Sequence, residues 1–215
     1  MKNYVLLLFV FTLIGCSSNQ LMNLSTAKDS VKDYYESGKY DAEMNEVLKD
    51  AKEKFGKIEI KKSVSGGSVV IFDVDETALN NYGLAKLMDF GYVYDLNKKW
   101  NEELQAPAIK QTQELYFYLL NKGIKIIFLT GRNSSEYEVT YKNLIQTGYT
   151  KFDTLITQRA DEQNLKSLEF KSKKRTELTK QGYEIIGTVG DQWTDLNGPY
   201  SGIQIKIPNY LYEII

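Results

Sequence analysis

The chain contains no histidine and only one cysteine, Cys16. The missing histidine removes Ser-His-Asp and Cys-His catalysis, histidine-ligated zinc and phosphohistidine chemistry together. Acid–base work must then fall to carboxylates, Lys or Tyr. A lone cysteine rules out an intramolecular disulfide. An excess of charge is also lacking: 27 Lys and Arg stand against 28 Asp and Glu, a net charge of -1. A general nucleic-acid binder is usually basic, so no nucleic-acid partner is expected. There are no repeats and no low-complexity tracts. The apolar run from Tyr4 to Ile14 is too short to span a bilayer comfortably. What is present is ordinary for a globular protein: 42% hydrophobic and 26% charged residues in 215, enough for one domain with extensions. Sixteen tyrosines suit a well-filled core, with some free to stack on a substrate.

The N-terminus has the layout of a signal peptide: Lys2, the apolar run, then Leu13-Ile14-Gly15-Cys16 and Ser17-Ser18-Asn19. Those residues resemble the lipobox of bacterial lipoproteins. The resemblance implies a signal peptide over 1–15, a lipid on Cys16 that makes the membrane a partner, and a polar tether over 16–25. It also implies a place in the bacterial cell envelope, outside the cytoplasm, at the outer membrane where the cell has one.

From Thr26 to Phe55 the apolar spacing is helical, with a break at Ser37-Gly38. Val69 to Phe72 reads as a buried strand. The residues from Gly83 to Ala106 read as irregular and aromatic, with Tyr92, Tyr94 and Trp100 among them. Pro107 suits the first turn of a helix over Ala108 to Leu120, ended by Gly123. Ile124 to Leu129 is a second strand, Ser134 to Gln146 a helix, and Thr154 to Thr157 a third strand. A helix over Lys171 to Gln181 leads to strands at Tyr183 to Val189 and Gly202 to Ile207. Strands alternating with helices predict an α/β fold with a five-stranded parallel sheet covered on both faces.

Three of these strands end in reactive residues. Asp73, Asp75, Glu76 and Thr77 follow the first, Thr130-Gly131-Arg132 the second, and Gly190-Asp191-Gln192-Trp193-Thr194-Asp195 the fourth. In such sheets ligands bind at the carboxyl ends of the strands. Carboxylates this close repel one another unless a cation joins them. Hard oxygen donors suit Mg²⁺ with a substrate phosphate. Thr130, the Gly131 N–H and Lys171 are suitable partners for phosphate oxygens, and a carboxylate can attack phosphorus.

D-V-D-E-T, L-T-G-R, a lysine ahead of G-D-Q-W-T-D, and that acidic motif itself resemble the four motifs of the haloacid dehalogenase (HAD) superfamily. F-D-V-D-E-T-A-L-N-N-Y, F-K-S-K-K-R and G-Y-E-I-I-G-T-V-G-D-Q-W-T-D-L are similar to its acid phosphatases, the bacterial class C enzymes and the plant acid phosphatases and vegetative storage proteins. The likeness runs from about Tyr34 to Pro208. It implies a Rossmann-like HAD domain over 26–215, with a helical extension at 26–56 and a small cap insertion at about 83–106. It implies a Mg²⁺-dependent phosphomonoesterase acting on a small-molecule phosphomonoester, nucleoside monophosphates among the candidates.

By position, Asp73 is the nucleophile and Asp75 the general acid and base. Thr130, Gly131 and Lys171 hold the phosphoryl group. Asp191 binds the metal with the Asp73 carboxylate and the Asp75 carbonyl. Asp195 orients Lys171 or a metal-bound water, and Arg132 touches phosphate or forms a structural ion pair. Lys173 and Lys174 compete with Lys171 for the cationic role. Glu76 stands where many HAD phosphatases have glycine, and a structural role is expected for it. Trp100 and Trp193 either stack on a leaving group or fill core, with core preferred. The rival functions are a silent binding or storage protein on the same scaffold, and a phosphotransferase.

Overall fold

A strand buried on both faces reads as an unbroken apolar run, and the chain is organised around one. The computed structural model describes residues 21–60 and 65–214. In it β1 spans Gly67–Phe72, and Val69 to Phe72 are fully buried. It lies at the centre of a parallel sheet with β2 (Lys125–Asn133), β3 (Thr154–Gln158), β4 (Tyr183–Gly190) and β5 (Ile203–Lys206), in the order β3-β2-β1-β4-β5. All four pairings are parallel. Phe72 pairs with Phe128 on one side and Val189 on the other. The strands that follow β1 first run outward to β3, then cross back to β4. The order therefore reverses beside β1, and a crevice opens there at the strands' carboxyl ends.

Alternation along β1 sends Val69 and Ile71 to one face and Val70 and Phe72 to the other. The first pair packs with Ile127, Leu129, Phe170 and Leu178, so α7 (Ser167–Lys180) covers that face. The second pair joins the larger core under α2 (Lys39–Gly56), α5 (Lys110–Asn121) and α6 (Tyr137–Gln146). Tyr40, Met44, Leu48, Ala51 and Phe55 form the buried stripe of α2 at helical spacing. α1 (Leu24–Glu36) precedes it and has no fully buried residue. Gly38, at φ +90, makes the break between the two helices. No helix among the described residues is long and apolar enough to cross a membrane. Cys16 and the rest of the expected signal segment lie outside the described residues.

Three expectations shift. The segment from Gly83 to Ala106 is mostly helical, with α3 at Tyr82–Leu87 and α4 at Tyr94–Glu102. α5 starts at Lys110 because Pro107 to Ile109 are held in an extended pairing with residues 78–80: Asn80 N–H donates to Pro107 O at 2.8 Å and Ile109 N–H to Ala78 O at 3.0 Å. α7 starts at Ser167, so Lys171 sits in its second turn rather than at its start. The Glu169 carboxylate accepts the Lys166 backbone N–H at 3.1 Å and fixes that earlier start.

Candidate active site

The end of β1 delivers Asp73 into the crevice, its N–H donating to Val189 O of β4 at 2.9 Å. The chain then turns tightly, with Ala78 and Leu79 N–H both bonded to Val74 O. Asp75 and Glu76 lie on that turn. β2 brings Thr130, Gly131 and Arg132, α7 brings Lys171, and the loop after β4 brings Asp191 and, on the short α8 (Trp193–Leu196), Asp195. All of these except Glu76 line one pocket of about 290 Å³. The sheet gathers them from distant parts of the chain.

Lys171 is the hub. Its Nζ donates to Asp73 Oδ1 at 2.5 Å and to Asp195 Oδ1, and all three side chains are buried. Asp195 Oδ2 in turn accepts the Gln192 N–H at 2.9 Å. The close approach of Asp195 to the strand requires Gly190, because a Cβ there would lie 2.5 Å from the Asp195 side chain. Lys173 and Lys174 point elsewhere: both bind the buried Glu162, at 2.8 and 2.7 Å. The geometry separates the three lysines that the sequence left in competition.

Asp191 accepts from Thr77 Oγ1 at 3.2 Å, Gln192 Nε2 at 2.6 Å and Asn209 Nδ2 at 2.7 Å, all neutral donors. Oxygens of Asp73, Asp191 and Asp195 lie within 4.8 Å of one another, a grouping that could hold a metal ion. Three buried carboxylates against one ammonium leave a formal charge of -2 within this group. Buried charge of that size is costly unless a cation compensates it. Burial pushes the Asp73 carboxyl well above its usual range; Lys171 opposes this, and Asp195, Asp191 and Asp75 add to the rise. Burial, then Asp195, push Asp191 to about 6. The donor set therefore fits a hard divalent ion. The grouping contains both carboxylates of the expected set, Asp73 and Asp191, and adds Asp195; the Asp75 side chain faces Arg132, which leaves its expected part to the backbone carbonyl.

Arg132 grips Asp75 with two parallel bonds, Nε to Oδ2 at 2.8 Å and NH2 to Oδ1 at 2.6 Å. Asn81 Nδ2 adds a third at 2.8 Å, and Trp100 Nε1 holds Asn81 Oδ1 at 3.0 Å. Burial raises the Asp75 carboxyl, but Arg132 and Asn81 outweigh it and bring it below the usual range. The ion pair expected as one reading of Arg132 is formed. Trp100 packs against the core and also steadies this network. Trp193 departs from its core reading: it is half exposed on α8, with Lys206 Nζ 5.8 Å from its ring centre. A four-residue helix has too little periodicity to show which side chain turns outward.

Glu76 is buried with φ +54, a left-handed conformation that glycine adopts freely and other residues rarely do. Its carboxylate accepts from Asn81 N–H at 3.2 Å and from the Tyr212 hydroxyl. Burial, reinforced by Asp75 and Asp191, pushes it to about 8. Tyr212 belongs to a C-terminal strap absent from the sequence-based site. The Gln192 amide donates to Tyr212 O at 3.3 Å and accepts the Ile214 N–H at 2.9 Å, and Asn209 reaches Asp191. Tyr212 and Ile214 line the pocket. Residues after Pro208 carry no periodicity or motif that would have placed them there.

A model of the family described as HAD superfamily, subfamily IIIB (Acid phosphatase) matches residues 12–215. Acid phosphatase 1 of Solanum lycopersicum is 33% identical over 196 residues, covering 87% of this chain and 74% of that protein. Vegetative storage protein 1 of Arabidopsis thaliana is 31% identical over 212 residues, covering 94% of this chain and 77% of that protein. The solved structure of the class C acid phosphatase from Bacillus anthracis has the same fold, with a TM-score of 0.68 at 20% identity over 88% of this chain and 85% of that one.

The bacterial-envelope localisation is overturned by these relatives: the curated ones come from tomato, soybean and Arabidopsis. Four residues after an apolar run are a short motif with a high chance-match rate. The family model, by contrast, matches residues 12–215, nearly the whole chain, and the protein belongs to subfamily IIIB of the HAD superfamily, the acid phosphatases.

Proposed function

We propose that this acid phosphatase is a Mg²⁺-dependent phosphomonoesterase that works through an aspartyl-phosphate on Asp73. The observation that carries the reading is Lys171 set between Asp73 and Asp195 in the pocket that also holds Thr130, Gly131 and Asp191. Asp73 is the one carboxylate positioned both at the strand end and against a buried ammonium.

In the first step an Asp73 oxygen attacks phosphorus. The P–O bond to the leaving group breaks, and its electron pair leaves with the alkoxide. Asp75 supplies the proton that the alkoxide takes up. In the second step Asp75, now a carboxylate, takes a proton from water as that water attacks the phosphoryl group. Inorganic phosphate leaves and Asp73 is regenerated. Thr130 and the Gly131 N–H hold the phosphoryl oxygens, and Lys171 balances their charge. Asp73 and Asp191 would hold the metal with the Asp75 carbonyl, and Asp195 adds a third nearby carboxylate. The ion, when bound, offsets the excess negative charge of the site and polarises the phosphoryl group. The Arg132 grip keeps Asp75 ionised over the usual range, so its acid form becomes populated as pH falls. Turnover is therefore expected to rise as pH falls from neutrality. The segment from Gly83 to Ala106 acts as the cap.

Phosphate release from an aryl phosphate and a nucleotide panel, with Mg²⁺ or with EDTA, tests the reading. Hydrolysis that needs the metal and is lost in Asp73→Asn is expected. Equal activity in that variant would sink the mechanism. Failure on every phosphoester would favour a binding or storage role.

A further inference from the structure

Beyond Asp75 the phosphate pocket gives way to a second cavity of about 670 Å³. The two share Asp75, Gly131, Arg132, Tyr212 and Ile214. With the phosphoryl group at Asp73, the group leaving toward Asp75 is directed into this cavity, and the role assigned to the cavity rests on that reading of Asp73.

The cavity has an apolar side made by Leu84, Met88, Phe90 and Tyr92 and a polar rim with Asn97, Asn101 and Glu136. Its charges are unequal. Arg132 is the one cation among the lining residues. Its Nε and NH2 are committed to Asp75, and its NH1 donates to Thr140 Oγ1 at 3.2 Å. Three carboxylates face it: Asp75, Glu76 and Glu136. Asp75 is matched by Arg132. Glu76 is shared between the Tyr212 hydroxyl and a backbone N–H. Glu136 is half-buried and has neutral donors, Asn101 Nδ2 at 3.1 Å and the Asn133 N–H at 3.2 Å. No direct ion pair of Glu136 occurs among the described residues. Whichever form Glu76 takes, the carboxylates are not balanced by the single guanidinium.

We propose that Glu136 is a specificity-determining residue, which makes the enzyme favour phosphomonoesters with a neutral or cationic organic leaving group over those whose leaving group carries a further phosphate or carboxylate. In a partly desolvated cavity a second anion beside a carboxylate is repelled more strongly than in water, and a cation is attracted. Rejection of one charge class is then built into the wall, independent of how well the preferred group is gripped. Asn97 and Asn101 add neutral donors and acceptors, and the aromatic and thioether side adds surface for an uncharged body or an organic cation.

The test uses three aryl phosphates of similar size, with a para nitro, trimethylammonio or carboxylate group. kcat/KM is measured for each with the full chain and with Glu136→Gln, in Mg²⁺. The ratio between esters is compared across the two proteins, which cancels the intrinsic reactivity of each leaving group. The cationic-to-anionic preference is expected to fall about tenfold in the variant, and in the unaltered protein to shrink as salt is raised. A ratio that is the same in both proteins and insensitive to salt, with all three esters hydrolysed, overturns the role of Glu136 and leaves the phosphatase mechanism standing. If the variant fails to fold, the salt dependence of the unaltered protein decides. Hydrolysis of none of the three would remove the mechanism and this inference together.

Discussion

Around Asp73 most of the wall comes from the carboxyl ends of four strands and from α7; around the neighbouring cavity most of it comes from an inserted helical pair, and the last described residues of the chain line both. The first region is buried and held by charge: Lys171 between two aspartates, Arg132 doubly bonded to Asp75. The second is larger and is lined by amides, aromatics and aliphatic side chains. The difference suggests a division of labour. Chemistry sits where sheet register fixes atoms to a fraction of an ångström, and selection sits where loops can vary without disturbing that register.

Substitutions that separate the two regions should differ most in size. Asp73→Asn removes the nucleophile, and a loss of about 10⁴-fold or more in kcat is expected, read by steady-state phosphate release with circular dichroism to confirm the fold. Lys171→Met should lower kcat/KM about 10²–10³-fold, because the phosphoryl group loses its cation.

Lys174→Met provides the contrast on the same helix. Lys174 shares the neutralisation of Glu162 with Lys173 and Arg159, so its loss should cost about 1 kcal/mol of stability while kcat/KM of the folded fraction stays near that of the unaltered chain. Burial raises Glu162, but Lys173 and Lys174 outweigh it and bring it to about 2, below the ordinary 4.5. A carboxyl lowered in the folded state contributes stability above its unfolded value, and that contribution is lost as pH falls through the folded one. Thermal unfolding should therefore show a stability term of up to ~3 kcal/mol that disappears between pH 4.5 and 2 and is missing in Glu162→Gln.

The smallest effect concerns the boundary between the regions. Arg132→Gln frees Asp75 from the guanidinium that lowers it. Its proton should then be held to higher pH, and the alkaline limb of the kcat profile should move up. An unmoved limb would mean that Asp75 is not the acid.

The sequence made the first region readable and left the second mostly dark, for physical reasons. Val69 to Phe72 is a continuous apolar run, and a run of that length ending in acids places a strand end directly. Thr130 and Asp191 follow the same logic. Lys171 stood out from Lys173 and Lys174 through motif wording alone; their ion pairs with the buried Glu162 depend on a short helical turn at Ala160–Glu162 that has no periodic signal. Glu76 and Tyr212 meet across 136 positions, and Asn209 reaches Asp191 from a segment without regular structure. Such contacts follow from where the fold leaves the chain end, not from local spacing. Glu136 reads locally as a capping residue of a short helical turn, and its position beside the cavity appears only once α4 brings Asn101 against it.

The central claim is that Asp73 becomes phosphorylated. It is tested most directly by acid-quenching the enzyme in the first turnover of an aryl phosphate and mapping phosphoryl mass by peptide mass spectrometry. One added phosphoryl group on the peptide that contains Asp73, absent in Asp73→Asn, is the predicted result. Rapid turnover with no protein-bound phosphoryl group at any quench time, or with the label on another residue, would contradict the account.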